Sequence, residues 1–431
     1  MKVQVYKKYK PSESKWLGDI PEEWSLERFG DKFLLNKEKN KTLQNNNLLS
    51  LSYGKIKRKD IKSSFGLLPE SFESYQIVHA GYIILRLTDL QNDKKSLRVG
   101  LVKEKGIITS AYVGLILSKK LDPNFIFYLL YTYDIKKVFY MEGGSLRQSM
   151  KYDDIKTLPL VYPARKTQET IARYLDDRTS KIDEKIKLLK LKKIKYQEIK
   201  KNIISEVICR GLDKKIKFKA SGVESLGEIP DGWAVRRLKD VASVFTGNSI
   251  ADKELFLNQD DAYPYIATKD INVNTQHVKY NNGIYIPKNN AEFKVADKDS
   301  ILICIEGGSA GRKIAYIDRK VCFVNKLCAI KGNNSKVIKK FLFYFFQCLL
   351  FENQFFSIMN GLIGGVSVNL IKKFDIVVPP VCDQVAIIKY LDEKTSKIDK
   401  IIETIDNEIN KLSEFRKALI SDVVTGKIKV V

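Results

Sequence analysis

The residue types that most often carry catalysis or bind metals are few in this chain, and their spacing suits neither task. Its 431 residues include two histidines, His79 and His277, and neither has acidic or cysteine neighbours clustered around it. An imidazole needs such neighbours to act as a metal ligand or an activated base. We therefore expect both histidines to be structural, with no catalytic residue and no metal site.

Two short segments only partly match catalytic motifs. The run "GGSAGRK" from Gly307 lacks the G-x-x-x-x-G-K-[ST] spacing of a phosphate loop, and its place between two predicted strands favours a β-turn or a DNA-facing loop. The tripeptide "DEK" occurs at Asp183 and Asp392, but both copies fall on predicted helices, which argues against a nuclease. No G-x-G-x-x-G fingerprint and no Asn-Pro-Pro-aromatic motif of amino-methyltransferases occurs.

The cysteines and the hydropathy indicate a soluble cytoplasmic protein. The six cysteines show no C-x-x-C pair, which favours reduced thiols over a disulfide framework or a zinc site. The first residues lack the apolar core of a signal peptide. The most apolar run, from Phe341 to Phe351, is far short of the ~20 residues that a membrane span needs.

The charge balance predicts a polyanionic partner. Seventy-five Lys and Arg against 51 Asp and Glu give a formal net charge of +24. Such a surplus favours a nucleic acid as partner, and a Lys-rich solvated surface is the alternative. An apolar fraction of 44% is enough for folded cores.

The chain repeats itself. "LGDIPEEW" from Leu17 returns as "LGEIPDGW" from Leu226, and "YLDDRTSKIDEKI" from Tyr174 returns as "YLDEKTSKIDKII" from Tyr390. The paired Trp24 and Trp233 are predicted to be framework residues, because a base reader would have less reason to recur unchanged. These matches predict a tandem duplication that reaches the C-terminus.

Each copy mixes strands and helices, so the predicted fold class is α/β (α+β). Strand-like runs begin at Gly81, Gly106, Asp299 and Lys326, and the aromatic segments at Phe125 and Phe341 are predicted to form buried helices. The interiors of the two copies hardly match. A retained framework with divergent interiors is expected of two domains that bind different targets.

A long helix closes each copy. From Gln168 to about Arg210, and again in the matching C-terminal segment, apolar residues fall at steps of three, four and seven, as in a coiled coil. A helix of ~43 residues is about 65 Å long, and Gly211 and Gly426 are predicted to end the two helices. The predicted seam residues are Ile171, Leu175, Ile182, Ile186, Leu189, Tyr196, Ile199, Ile203 and Val207 in the first helix, and Ile387, Leu391, Ile398, Ile402, Ile405, Ile409, Leu412, Phe415, Leu419 and Val423 in the second.

Antiparallel pairing of these helices within one chain would hold two globular domains at opposite ends of a rod, related by pseudo-twofold symmetry. A coiled coil between two chains is the alternative that periodicity leaves open. Ile204, Ile208 and Ile401 are predicted on the outer faces of the pair, where they would contact partner proteins.

The whole pattern resembles the specificity subunits of type I restriction-modification systems. The resemblance lies in the duplicated "LG-[DE]-IP-x-x-W" openings and in the closing segments "PARKTQETIARYLD" from Pro163 and "PVCDQVAIIKYLD" from Pro380. It covers essentially the whole chain. Its two closing segments differ, with five residues from Pro163 to Gln168 and four from Pro380 to Gln384.

The resemblance implies a sequence-specific DNA-binding subunit without catalysis of its own. It implies target-recognition domains at residues 1–163 and 212–380, each reading one half of a bipartite, asymmetric site. Long helices at 164–211 and 381–431 would set the spacer and dock the partner subunits. Those partners are two DNA adenine methyltransferase subunits and the restriction subunits, which use S-adenosylmethionine, ATP and Mg²⁺, whereas this chain would hold no cofactor.

The candidate DNA contacts are Lys, Arg, Asn, Gln and Ser residues on predicted loops, because these side chains reach phosphates and base edges. In the first domain they are Arg86, Asn92, Lys94, Lys95, Arg98, Arg147, Gln148 and Lys151. In the second domain they are Lys269, Ser309, Arg312, Lys313, Asn325 and Lys326.

Two other functions stay open at this stage. One is a sequence-independent nucleic-acid scaffold or RNA-binding protein, for which the net charge alone would suffice. The other is an enzyme with an unrecognised site, such as a nuclease.

Overall fold

The structure is a computed structural model that describes residues 4–14, 16–61, 69, 71–90, 96–141, 149–224, 226–257, 260–333, 335–359 and 364–430. Packing divides the chain into two units. The first unit contains residues 1–190 and 407–431, and the second contains residues 191–406. The predicted division into four segments stays a prediction, because the unit boundaries fall inside the two long helices.

The first half of the chain carries twelve strands and five helices within the described ranges. The strands are β1 (Tyr9–Pro11), β2 (Asp19–Pro21), β3 (Ser25–Arg28), β4 (Phe33–Leu35), β5 (Leu49–Ser52), β6 (Lys55–Arg58), β7 (Gln76–Val78), β8 (Ile83–Leu85), β9 (Val99–Leu101), β10 (Gly106–Ile108), β11 (Val113–Leu117) and β12 (Pro159–Tyr162). The helices are α1 (Phe29–Lys32), α2 (Pro123–Ile135), α3 (Val138–Met141), α4 (Tyr152–Ile155) and α5 (Arg165–Arg210).

The second half repeats this order with the same number of described strands and helices. The strands are β13 (Phe218–Ala220), β14 (Glu228–Pro230), β15 (Ala234–Arg237), β16 (Ala242–Thr246), β17 (Ala262–Ile266), β18 (Tyr285–Pro287), β19 (Val295–Ala296), β20 (Ile301–Cys304), β21 (Ile314–Tyr316), β22 (Val321–Phe323), β23 (Leu327–Gly332) and β24 (Asp375–Val378). The helices are α6 (Leu238–Val241), α7 (Lys339–Phe345), α8 (Leu349–Ser357), α9 (Val368–Ile371) and α10 (Val381–Val424), with two short 3₁₀ turns at Glu254–Phe256 and Thr268–Asp270.

Equivalent sheets confirm the predicted mixed fold and its duplication. One four-stranded antiparallel sheet has the order β4-β11-β8-β9, and its counterpart has the order β16-β23-β20-β21. The opening and closing segments of each half also pair, as β3 with β12 and as β15 with β24. The second unit adds a mixed sheet of order β18-β17-β22-β19.

The buried cores lie between these sheets and the aromatic helices. Helix α2 begins with Pro123 after the N-cap Asp122, whose side chain accepts a hydrogen bond from the Phe125 amide at 2.9 Å. Its face buries Phe125 and Leu129, and α7 buries Phe341 and Phe345 in the same way. The prediction of two buried aromatic helices is confirmed.

The helix-ending glycines pack against the repeated tryptophans. Helix α5 ends at Arg210 before Gly211 (φ +76°), and α10 ends at Val424, two residues before Gly426 (φ +78°). A Cβ at Gly211 would lie 3.0 Å from the Trp233 ring, and one at Gly426 would lie 3.1 Å from the Trp24 ring. Both tryptophans are buried, which confirms them as framework residues.

Within each unit the two long helices run antiparallel. In the first unit Asp183 of α5 accepts hydrogen bonds from Arg416 of α10, at 2.8 and 3.1 Å. In the second unit Lys200 of α5 lies 2.8 Å from Asp399 of α10, and Lys193 lies 2.6 Å from Asp406. These contacts confirm antiparallel pairing inside each unit.

The predicted seam is wrong at several positions. Ile199 is 46% exposed and Phe415 is 57% exposed, although both were assigned to the seam. Ile204 and Ile208, predicted on an outer face, are buried, because this end of α5 packs into the globular core of the second unit. Ile401 is exposed, as predicted.

Candidate nucleic-acid interface

In the first unit, the connection from β8 to β9 carries one group of candidate residues. Arg86 follows β8 directly and is half-buried, and its guanidinium lies 3.1 Å from the carboxylate of Asp89. Asp89 has a positive φ of 54°, so the backbone turns sharply at this position. Asn92, Lys94 and Lys95 lie on the same connection but outside the described residues.

Arg98 lies inside the protein, so its predicted surface position is wrong. Its side chain is 0% exposed. Its guanidinium donates hydrogen bonds to the carbonyl oxygens of Arg86 (3.1 Å), Thr88 (2.6 Å) and Asp89 (3.0 Å), and to the hydroxyl of Tyr140 (2.7 Å). A buried arginine needs this many acceptors, because an unpaired buried charge is costly. Arg98 therefore fixes the connection that presents Arg86.

A second segment lies against the same connection. Thr88 pairs with Ser149 in an antiparallel bridge, and the Met150 amide donates to the Leu87 carbonyl at 2.9 Å. The exposed Lys151 follows these residues and is the N-cap residue of α4. The structure thus brings together two candidate groups that are about 60 residues apart in the sequence. Arg147 and Gln148 lie outside the described residues.

In the second unit, the connection from β20 to β21 is a tight turn. The Ser309 carbonyl accepts hydrogen bonds from the amides of Arg312 (3.1 Å) and Lys313 (3.3 Å). Gly311, at φ +70°, packs so closely on Phe355 that an added Cβ would lie 2.7 Å from its ring. Arg312 is exposed, with its guanidinium carbon 6.0 Å from the centre of the Phe356 ring. The run "GGSAGRK" is therefore a turn between strands, as predicted.

The other candidates of the second unit surround this turn. Lys313 donates to the carbonyl oxygen of Thr268 at 2.7 Å, which places the exposed Lys269 beside the turn. Lys326 lies 3.3 Å from Glu306, and the Ile305 amide donates to the Lys326 carbonyl at 3.0 Å. Asn325 is exposed next to Lys326. All six candidates are thus assembled around one connection.

These two connections occupy equivalent places in equivalent sheets. Strands β8 and β9 correspond to β20 and β21 in the matching sheet orders. Their residues differ, because the backbone hydrogen bond that joins the two ends of the connection links Arg86 with Arg98 (2.8 Å) in the first unit and Cys304 with Lys313 (2.9 Å) in the second. Several candidate cations also have partners: Arg86 pairs with Asp89, and Lys326 pairs with Glu306. Contact with DNA stays a prediction for the described exposed candidates.

Groups suited to chemistry are poorly placed near these connections. Cys304 lies at the base of the β20–β21 turn, where burial raises the pKa of its thiol, so it is not a thiolate near neutral pH. His79 lies 3.0 Å from Glu38, and His277 is exposed on another loop. Over the described ranges, no group of three or more His, Cys, Asp and Glu residues could hold a metal ion. No helix among the described residues is long and apolar enough to cross a membrane.

A basic surface that the sequence reasoning missed lies on the hairpin of β5 and β6. Lys55, Lys57 and Lys59 are exposed at alternate positions. The signal was available in "SYGKIKRK" from Ser52, where a Tyr-Gly pair joins two runs of alternating residues.

Comparisons with known proteins agree with this organisation. The family model described as "Type I restriction modification DNA specificity domain" matches residues 230–411. The chain is 24% identical to the putative type I restriction enzyme MjaX specificity subunit of Methanocaldococcus jannaschii, over 99% of both chains. Residues 230–411 therefore match a type I restriction-modification specificity domain, and the chain is similar to specificity subunits of these systems over nearly its whole length.

Further similar proteins are consistent with the duplicated fold of this chain. The EcoKI specificity subunit of Escherichia coli is 25% identical over 47% of this chain and 45% of its own length. A solved chain from a study of complex assembly and conformational transition of the type I R-M system superposes with a TM-score of 0.70. That comparison has 16% identity and covers 95% of this chain and 99% of the other, so it supports the fold alone.

Structure also explains the unequal spacing of the closing segments. The Gln168 side chain donates to the Pro163 carbonyl at 2.8 Å, and the Gln384 side chain donates to the Pro379 carbonyl at 2.9 Å. Pro379 is therefore the counterpart of Pro163, and the proline precedes the glutamine by five residues in both halves. The spacing from proline to glutamine is therefore the same in the two halves, although the sequence comparison suggested that it differed.

Proposed function

We propose that this protein is the sequence-specific DNA-binding subunit of a type I restriction-modification complex. Each unit's globular part reads one half of a bipartite, asymmetric site. The two long helices set the number of base pairs between the halves. Methylation and cleavage are assigned to the partner subunits and not to this chain.

The observation that carries this proposal is the pair of equivalent connections with different residues. Gln168 and Gln384 make the same contacts in the two halves, and so do Tyr128 and Tyr344, whose hydroxyls donate to Asp176 (2.7 Å) and Asp392 (2.6 Å). The framework is therefore retained down to single hydrogen bonds. Because the β8–β9 and β20–β21 connections diverge on this framework, the two halves are suited to different base sequences.

Partner subunits complete the proposed activity. Two modification subunits dock on the helical regions and methylate adenine from S-adenosylmethionine, and restriction subunits use ATP and Mg²⁺ to cleave. Exposed apolar side chains on α5 support a protein-docking role, because they are absent from the packed cores. They include Leu188 and Leu191, which are 59% and 51% exposed.

Binding measurements with the full-length chain test this proposal. Duplexes enriched from a random pool by repeated selection are compared with unselected duplexes at one salt concentration. We expect the selected duplex to bind at least roughly 10³-fold more tightly and to contain two separated conserved blocks. Equal affinity for both would support the sequence-independent scaffold, and cleavage of plasmid by the isolated chain with Mg²⁺ would support a nuclease.

A further inference from the structure

The β5–β6 hairpin of the first unit is anchored through one of its faces. Leu51 and Ile56 are paired across the strands and pack on β9, where a Cβ at Gly100 would lie 2.6 and 2.8 Å from their side chains. Leu49 is buried in the same apolar cluster. Side chains alternate along a strand, so this packing fixes which residues point outward.

The opposite face presents three lysines. Lys55, Lys57 and Lys59 are exposed, and none forms an ion pair with a described acidic residue. Ser52 and Ser50 lie across the hairpin from Lys55 and Lys57. Successive lysines are about 6.8 Å apart along an extended strand, so the hairpin carries a row of unpaired cations.

Glu104, an acidic residue beside the hairpin, pairs with Arg58 and not with the lysines. The Arg58 Nε donates to Glu104 at 2.8 Å. This pairing raises the pKa of Arg58 and lowers the pKa of Glu104. Arg58 and Ile56 occupy the alternate positions, so Glu104 is engaged on the anchored side and the lysine row stays unpaired.

The hairpin tip carries an aromatic side chain in an unfavourable backbone conformation. Tyr53 and Gly54 connect the two strands with φ values of +48° and +74°. Two-residue hairpin turns of this kind favour Asn followed by Gly, whereas a bulky residue at positive φ is strained. Tyr53 is nevertheless 79% exposed, and no described aromatic ring contacts it. Residues in sparsely populated backbone conformations cluster at ligand-binding and active sites.

We propose that this hairpin enters a groove of double-stranded DNA, with Lys55, Lys57 and Lys59 on phosphates and Tyr53 against base edges. The inference rests on the proposed function and assigns it a reading element in the first unit. A two-stranded ribbon fits the major groove, which is about 12 Å wide. Serine hydroxyls beside the lysines supply further donors for phosphates or bases.

The lysine row is tested with the full-length chain by replacing Lys55, Lys57 and Lys59 with Gln. Three exposed lysines elsewhere in the first unit, Lys119, Lys120 and Lys166, are replaced with Gln as a control with the same charge change. Affinity for a random duplex is measured by fluorescence anisotropy over a range of salt. Each lost phosphate contact lowers the slope of log affinity against log salt by about 0.9. We expect the hairpin variant to lose roughly 2 to 3 from the slope and the control variant to lose less than 1.

The tip is tested separately with Tyr53→Asn and Tyr53→Phe. Asparagine accepts positive φ, so Tyr53→Asn keeps the turn and should leave the melting temperature unchanged or higher. We expect it to weaken binding to the selected duplex roughly tenfold while leaving binding to random duplexes unchanged. Tyr53→Phe keeps the ring and should retain most of the affinity.

The outcomes separate this inference from the proposed function. If the unmodified chain prefers the selected duplex but the hairpin variants behave like the control, the hairpin proposal is wrong and the proposed function stands. If the unmodified chain shows no preference, the proposed function fails and Tyr53 has no base to read. An equal loss of slope in the hairpin and control variants would overturn the phosphate contacts.

Discussion

Arg98 holds the β8–β9 connection from within, so its replacement should destabilise the first unit. In Arg98→Met the carbonyl oxygens of Arg86, Thr88 and Asp89 lose their donor inside the protein. We expect the free energy of unfolding to fall by about 3 to 5 kcal/mol, because removing one partner of a buried charged network leaves several groups unpaired. Urea unfolding followed by circular dichroism measures this change.

Arg86→Gln is the matched control. Arg86 is partly exposed and pairs with the exposed Asp89, so its loss should cost less than about 1 kcal/mol. A loss in Arg98→Met no larger than that in Arg86→Gln would contradict a stabilising role for the buried network.

Gly426 should tolerate alanine much less well than Gly18, although both have a positive φ. Gly18→Ala meets no atom within 4 Å, so we expect only the backbone cost of about 1 kcal/mol. Gly426→Ala would place its Cβ 2.4 Å from Pro21 as well, which should raise the loss to more than about 2 kcal/mol. Thermal unfolding of the two variants compares them, and equal melting temperatures would contradict the packing of α10's end on the opening segment.

The sequence predicts the structural roles of some single residues and not of others. Trp24 and Trp233 were predicted as framework residues because the repeat gave two copies of one environment. Arg98 has no such copy, and nothing in "KSLRVG" distinguishes a buried arginine from an exposed one. Its role depends on carbonyl oxygens that the turn at Asp89 directs inward, and that turn depends on tertiary packing.

At the scale of elements, the two closing glutamines should matter equally. Gln168 is buried and accepts from the Asp122 amide at 2.9 Å, and Gln384 accepts from the Ile338 amide at 2.8 Å. Each therefore joins the start of a long helix to the start of an aromatic helix. We expect Gln168→Ala and Gln384→Ala each to lower the free energy of unfolding by about 2 to 4 kcal/mol, because buried donors and acceptors lose their partners.

Gln197→Ala provides the control for that pair. Gln197 is a half-buried residue of α5 whose side chain makes no hydrogen bond among the described contacts. Its replacement should change stability by no more than about 0.5 kcal/mol. A large loss from only one of the two buried glutamines in denaturant titrations would contradict their equivalence.

The long helices were predictable as elements but not in their packing. Apolar spacing and the absence of proline indicate a helix, and this signal is local to the segment. Which residues lie inside depends on the neighbour, and the neighbour of α5 changes from α10 alone to a globular core near Ile204 and Ile208. The predicted seam therefore fails at Ile199, where no change of sequence pattern marks the transition.

At the scale of the whole molecule, most of the predicted organisation follows from the duplication. Repeated segments predicted the duplication and both long helices, and the divergent interiors predicted two different targets. The repeats do not predict which base sequences the two halves recognise. Base recognition depends on which side chains a connection presents, and the structure places those of the second unit around one turn by contacts such as Lys313 with Thr268.

We propose above all that the two halves of the chain read different parts of one DNA site. This proposal is tested most directly by methylation sequencing of DNA from cells that produce this chain together with its modification subunit. We expect methyl-adenine at one split, non-palindromic motif. Exchange of residues 1–163 for those of another specificity subunit should change one half of that motif and leave the other half intact. An active, assembled complex that methylates no defined motif, or an exchange that alters both halves together, would contradict the account.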